Sequence, residues 1–65
     1  MRIRLNGREK ETKAATVLDL LKEHALAPDR VVVEKNKAIV PRTTFGDAQL
    51  RNGDSIEIVG MIGGG

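Results

Sequence analysis

The chain has 65 residues, enough for one small domain that buries roughly 60% of its unfolded surface and has little interior volume for a small-molecule pocket. It contains no cysteine and no apolar run near the ~20 residues of a membrane helix, which excludes disulfides, thiolate metal sites and a helical bilayer span and favours a cytoplasmic protein. The net charge is +2, but the signs alternate and Phe45 is the one aromatic residue, so we expect no nucleic-acid partner.

The chain opens with a predicted β-hairpin. Apolar and polar residues alternate over residues 1–5, which is the period-two pattern of a half-buried strand. Asn6-Gly7 predicts a type I′ turn, because both central positions of that turn need a positive φ. The return segment, residues 8–13, is almost wholly polar and is predicted to be an edge strand.

A helix is predicted to begin at Thr16. Thr16 and Asp19 stand three residues apart, which is a weak form of the capping box, and an acidic residue in the first turn suits the helix dipole. The helix is predicted to carry an apolar stripe at helical spacing, formed by Val17, Leu20, Leu21 and Ala25, and Pro28 is predicted to end the element. The single histidine, His24, lies near the helix end, where we expect it to interact with the last carbonyl groups.

The next predicted strand covers residues 30–34. Three consecutive valines at its centre predict a strand that is covered on at least part of both faces. Asn36-Lys37 predicts a turn into a short strand at residues 38–40, which Pro41 ends.

The last predicted strand covers residues 55–59. An irregular segment comes before it, with one helical turn expected around Phe45, and a turn at residues 52–54 leads into the strand. Ile56 and Ile58 share one face of this strand.

These elements predict an α+β fold. A five-stranded mixed sheet with one main helix across one face buries both apolar surfaces in two layers, and this is the arrangement of the ubiquitin-like β-grasp. In that fold the last strand lies parallel to the first, at the centre of the sheet. We therefore predict a β-grasp domain over residues 1–59 and a flexible glycine-rich tail over residues 60–65.

The sequence offers no set of side chains for catalysis. Ser55, the single serine, lies in a predicted strand without a histidine and an acid beside it. Glu9 and Glu11 share a face of an exposed strand, where we interpret them as solvated surface charges. No helix or lysine follows the glycines of residues 60–65, which excludes a phosphate-binding loop. We expect no enzyme activity and no bound metal or cofactor.

The final glycines are the feature that packing does not explain. Gly63, Gly64 and Gly65 have no side chain to block access to a narrow channel. Residues 60–65 can extend roughly 20 Å, so the Gly65 carboxylate could reach the active site of a second protein while the domain docks outside it. A frayed end or the remnant of an expression linker is the alternative.

Several segments resemble the family of thiamine-biosynthesis sulfur carriers. The combination of short length, Val40-Pro41-Arg42 and the glycine ending is the most selective part of this resemblance. The similarity extends over essentially the whole chain, and the segments that carry it are residues 1–7, 16–21, 31–36, 40–42, 50–59 and 63–65.

The resemblance implies a carrier protein that other enzymes act on. A partner adenylyltransferase, similar to ubiquitin-activating enzymes, would adenylate the Gly65 carboxylate with ATP and magnesium. A persulfide sulfur donor would then displace AMP and leave a thiocarboxylate, whose sulfur thiazole synthase would accept. Gly63 and Gly64 would form the narrow stem, and no cofactor would stay bound to the chain.

A docking surface is expected on the open face of the sheet. If alternate residues of the last strand face the helix, Val59 and Met61 point to the open face beside Arg2 and Arg4. We interpret these four residues as a partner-docking patch. The alternative is that Val59 and Met61 only pack against neighbouring strand side chains.

Other functions remain open from the sequence. A sulfur carrier for molybdopterin, cysteine or siderophore synthesis would share the terminal chemistry. A ubiquitin-like modifier would instead join its last glycine to lysine side chains. A non-carrier β-grasp module would bind RNA or protein through its sheet and would not need its last residues.

Overall fold

The computed structural model describes residues 1–60, and these form a five-stranded sheet with one α-helix. The elements are β1 (Arg2–Leu5), β2 (Arg8–Glu11), α1 (Val17–Glu23), β3 (Val31–Lys35), β4 (Ala38–Val40) and β5 (Ser55–Gly60). Short 3₁₀ helices at Pro28–Arg30 and Arg42–Thr44 complete the described part. The predicted order of strands and helix is confirmed.

The last strand lies at the centre of the sheet, as predicted. The strand order is β2-β1-β5-β3-β4, with β5 parallel to β1 and antiparallel to β3. All of β2 is exposed, and its charged side chains suit an edge strand because they discourage pairing with a further chain. The mixed sheet of a β-grasp is thereby confirmed.

Both predicted hairpins turn through left-handed backbone conformations. In the first hairpin the φ angles are 50° at Asn6 and 84° at Gly7. In the second they are 53° at Asn36 and 73° at Lys37. Positive φ at both central residues is the requirement of a type I′ turn, whose twist matches that of the flanking strands.

The core lies between α1 and one face of the sheet. Thr16 begins the helix as predicted, and its side chain accepts a hydrogen bond from the Asp19 N–H at 3.2 Å. Phe45 follows the 3₁₀ helix at Arg42–Thr44, one turn earlier than the expected helical turn, and is buried. The buried apolar residues are Ile3, Ala14, Val17, Leu20, Leu21, Val31, Val33, Phe45, Leu50 and Ile56.

The helix ends before Pro28, because Ala25 adopts a left-handed conformation with φ 55°. The Ala25 N–H donates to the Lys22 carbonyl at 3.1 Å, and the Leu26 N–H donates to the Leu21 carbonyl at 2.8 Å. This pair of bonds is the Schellman motif, whose left-handed position is usually glycine. The predictions that Pro28 ends the helix and that Ala25 belongs to its apolar stripe are therefore wrong.

Within residues 1–60 no helix has both the length and the apolar character needed to cross a bilayer.

Candidate functional site

The candidate site is the end of β5 at Gly60, the last residue that the structure describes, and we call this end of the strand the exit. Gly60 is the last residue of β5 and lies opposite Val31 of β3. The ladder between β5 and β1 has already ended, at the pair of Leu5 and Ile56. Along its last residues β5 therefore keeps a neighbouring strand on one side.

The residues that the sequence assigns to the tail follow this exit. Gly63, Gly64 and Gly65, the predicted stem and sulfur-carrying group, lie outside the described residues. Met61 of the predicted docking patch lies outside them as well. The described part of the site is thus the strand that leads into the tail and the surfaces on either side of it.

Two asparagine side chains hold β5 by hydrogen bonds to its backbone. The Asn36 Oδ1 accepts from the Ser55 N–H at 2.9 Å, where β5 begins. The Asn6 Oδ1 accepts from the Ile58 N–H at 2.8 Å, close to where β5 ends. Both asparagines were predicted only as turn residues. Their bonds to β5 join positions far apart in the chain, which local sequence patterns do not reveal.

The open face of the sheet carries an apolar pair next to the exit. Val59 is 62% exposed and lies directly opposite Val32, which is 41% exposed. We call Val32 and Val59 the exit pair. Directly opposed side chains on one face of a sheet are close enough to form one surface. The prediction that Val59 faces away from the helix is confirmed, whereas Val32 had not been identified.

Arg2 and Arg4 share this open face but lie toward its other end. Arg4 is opposite Ser55, four positions along β5 from Val59, which corresponds to about 13 Å. Arg2 contacts Glu9 at 3.2 Å and Glu11 at 3.3 Å on the neighbouring edge strand. The hydrogen bond from Arg2 to Glu9, with the charge of Glu11, raises the pKa of Arg2. The structure thus brings Val59 together with Val32 and not with the two arginines.

The helix side of the exit is an open groove of about 420 Å³. Its apolar walls include Leu5, Leu26, Val31 and Ile58, and Gly60 lies at its edge. Among residues 1–60, no atom lies within 4 Å of a Cβ built at Gly60, so the described residues leave room around this position.

His24 and Glu23 lie where α1 meets the segment after β2. Glu23 accepts hydrogen bonds from the Thr12 hydroxyl at 2.7 Å and the Lys13 N–H at 3.0 Å, and the bond from Thr12 is the main cause that lowers the pKa of Glu23. The backbone N–H of His24 reaches the helix carbonyls, whereas its buried Nε2 has no partner within residues 1–60. The expected contact of the imidazole with those carbonyls is absent there.

The acidic and histidine side chains are dispersed over the part of the chain that the structure describes. Over residues 1–60 no three acidic or histidine side chains come together as a metal site. Glu9 and Glu11 are exposed and are both engaged by Arg2. What the arrangement offers instead is a fixed central strand that delivers the following residues from one end of the sheet.

Comparison with protein families gives a match over nearly the whole chain. The ThiS family model matches residues 3–65. The "Sulfur carrier protein ThiS" of Bacillus subtilis is 37% identical over 65 residues, which cover 97% of this chain and 98% of that protein.

Two longer proteins are also similar. A protein named "Thiazole synthase" from Magnetococcus marinus is 47% identical over 66 aligned residues, and one from Paramagnetospirillum magneticum is 39% identical. Each alignment covers 100% of this chain, which spans only 20% of the length of each relative.

A solved structure shares the whole fold. The crystal structure of the thiamine biosynthesis protein (ThiS) from Geobacter metallireducens superposes with a TM-score of 0.83 at 29% identity, with complete coverage of both chains.

Proposed function

The chain belongs to the ThiS family, and from this membership we propose that it is a sulfur carrier of thiamine biosynthesis rather than an enzyme. The observation that carries the proposal is the family match over residues 3–65, because it includes the three final glycines as well as the folded domain. Similarity over 98% of the Bacillus subtilis carrier supports the same conclusion.

The proposed chemistry takes place at the carboxylate of Gly65. A carboxylate oxygen attacks the α-phosphorus of ATP in the adenylyltransferase, and pyrophosphate leaves, with magnesium and basic groups of that enzyme neutralising the phosphate charge. The terminal sulfur of a persulfide donor then attacks the acyl carbon, and AMP leaves. A thiol cleaves the resulting sulfur–sulfur bond, which leaves a thiocarboxylate on Gly65 and a disulfide on the donor.

In this proposal the folded domain presents the C-terminal carboxylate to the partner and supplies no reactive side chain. The chain has no cysteine, so no thiol of its own competes with the thiocarboxylate or reacts with the persulfide. Gly63 and Gly64 form the narrow stem that lets the carboxylate enter the active site of the partner. Because the reaction consumes ATP, we place it in the cytoplasm.

Thiazole synthase is the acceptor in this proposal. The two proteins named thiazole synthase each contain a segment similar to this chain that makes up a fifth of their length. A carrier and an acceptor on one polypeptide meet at a high effective concentration, which is an advantage for two proteins that act in sequence. This arrangement in the relatives supports the same pairing for the present chain.

We also propose that the open face around the exit pair contacts the partner enzymes. Apolar side chains exposed next to the exit can be buried by a partner while the tail enters its active site. Met61, which the sequence pattern predicts to share the face of Val59, is included in this surface, with Arg2 and Arg4 at its far margin.

The mass of the native protein tests this proposal. Intact-protein mass spectrometry on cells grown without thiamine should show a species in which one oxygen is exchanged for sulfur. Fragmentation should place the sulfur on Gly65, and a variant without Gly65 should lack the species. A chain that continues beyond Gly65, or a ladder of conjugates to other proteins in place of the sulfur form, would contradict the assignment.

A further inference from the structure

The contact between Asn6 and Ile58 lies at the end of β5 from which the tail emerges. We propose that Asn6 is a positioning residue that holds this end of β5 in place and so delivers the Gly65 carboxylate to the adenylating enzyme. The inference rests on the proposed carrier function. It adds a role for a residue that neither the turn pattern nor the family match assigns.

Asn6 continues the hydrogen bonds between β1 and β5 beyond the last paired residues of the two strands. The Asn6 N–H donates to the Ile56 carbonyl at 2.8 Å, as the next residue of a parallel ladder would. In a regular ladder the Asn6 carbonyl would also accept from the Ile58 N–H. At Asn6 the chain enters its turn, with φ 50°. The Ile58 N–H therefore donates to the side-chain Oδ1 of Asn6, at 2.8 Å, and not to its backbone carbonyl.

The bond between Asn6 and Ile58 is the last hydrogen bond that β5 makes on the β1 side within residues 1–60. Beyond Ile58, β5 pairs only with β3, through Val32 and Val31. Residues with a partner on one side open more readily than those paired on both sides. Loss of the Asn6 bond would therefore release residues 58–60, and after the domain has docked these would have to be ordered again before the carboxylate reaches ATP, a cost that falls on kcat.

Asn36 provides a matched control within the same strand. It occupies the equivalent position of the other type I′ turn, with φ 53°, and its Oδ1 accepts from the Ser55 N–H at 2.9 Å. Its amide also donates to Asp54 at 3.1 Å, so its removal costs at least as many hydrogen bonds. The two asparagines thus differ chiefly in which end of β5 they hold.

The experiment compares Asn6→Gly, Asn6→Asp and Asn36→Gly in the full chain. Glycine keeps the left-handed turn but removes the acceptor, whereas aspartate keeps both. For Asn6→Gly we expect amide exchange of Ile58 and Val59 to accelerate about tenfold and kcat for adenylation to fall about tenfold with KM unchanged. Asn6→Asp should restore both values, and Asn36→Gly should lower the melting temperature but leave adenylation within about twofold of wild type.

Each result decides between the possibilities. If Asn36→Gly slows adenylation as much as Asn6→Gly does, or if Asn6→Asp does not restore the rate, Asn6 serves the fold alone and the inference is wrong. If the wild-type chain is not adenylated, the proposed function fails. In that case the amide exchange rate of Ile58 still shows whether Asn6 stabilises this end of β5. An unchanged exchange rate in Asn6→Gly would show that it does not.

Discussion

Ala25 is an alanine in a position where most helices place glycine. Its left-handed conformation, with φ 55°, allows the Schellman bonds that end α1 but brings Cβ close to the following carbonyl. Ala25→Gly should therefore stabilise the domain by about 0.5–1 kcal/mol after the larger chain entropy of glycine is subtracted. In a thermal melt this corresponds to about 3–6 °C.

Ala27 is the control for this substitution. It is exposed like Ala25 and only two residues away, but its φ of −78° is favourable for any L-residue. Ala27→Gly should lower stability by about 0.4–1 kcal/mol, because glycine adds freedom to the unfolded chain without relieving strain. Equal effects of the two substitutions would show that the conformation of Ala25 is not strained.

Glu23 should make stability depend on pH. The hydrogen bonds from Thr12 and Lys13 favour its charged form, so the pKa of Glu23 in the folded state is lower than in the unfolded chain. A lowered pKa means that the stabilisation is fully present above the unfolded pKa and is lost as the pH falls through the folded value. Because Glu23 is exposed, we expect a contribution below about 1 kcal/mol.

The measurement is the free energy of unfolding between about pH 6 and pH 3. Glu23→Gln should lower stability at pH 6 and reduce the decline toward pH 3. Asp47→Asn provides the comparison, since no side-chain bond of Asp47 occurs in the described part of the chain. If Glu23→Gln declines with pH as steeply as wild type, the Thr12 bond does not favour the charged carboxylate.

Residues that act through distant partners are the ones that sequence patterns did not reveal. Asn6 was recognised as a turn residue because a type I′ turn has a local requirement for positive φ, and Asn36 was predicted to lie in a turn without a turn type. Their bonds to β5 depend on the register between strands, and the Asn6–Ile58 bond joins residues 52 positions apart. Ala25 was assigned to the helix because it continues the spacing of the apolar stripe, whereas the backbone bonds of the Schellman motif end the helix before it.

At the scale of whole elements the sequence was more informative. Strand periodicity, the two Asn-containing turns and the helix N-cap at Thr16 are local patterns, and all of them are confirmed. The neighbours of Val59 depend on how β5 is offset against β1 and β3, which no local pattern encodes. This is why the face of Val59 was predicted correctly while its partner on that face was not.

The exit pair leads to a prediction at this scale. Val59→Asp should lower kcat/KM for adenylation about tenfold, because a charge at the centre of an apolar contact must be desolvated on binding. Met61→Asp should act in the same way. Both variants should remain folded, since the Val59 side chain is 62% exposed and adds little to the core.

Ile39→Asp is the matched control for the exit pair. Ile39 is 66% exposed, but it lies on the edge strand β4 opposite Glu34, away from the exit. We expect this variant to be adenylated at nearly the wild-type rate. Equal losses from Ile39→Asp and Val59→Asp would show that docking is not centred on the exit pair.

At the scale of the whole molecule, folding and sulfur transfer depend on different parts of the chain. The buried apolar residues run from Ile3 to Ile56, and the glycines at 63–65 have no side chains to bury. Deletion of Gly64 and Gly65 should therefore leave the melting temperature unchanged. It shortens the reach of the tail by about 7 Å and should abolish adenylation, because the new carboxylate cannot reach the reacting ATP.

The comparison with Asn36→Gly separates the two requirements in one assay. Asn36→Gly should be less stable yet still rescue bacteria that lack their own carrier and are grown without thiamine, whereas the truncated chain should be stable and fail to rescue them. A folded domain alone then does not suffice, and a reduced stability does not prevent transfer. Rescue by the truncated chain would mean that the reacting group is not the carboxylate of Gly65, and the carrier mechanism would have to be abandoned.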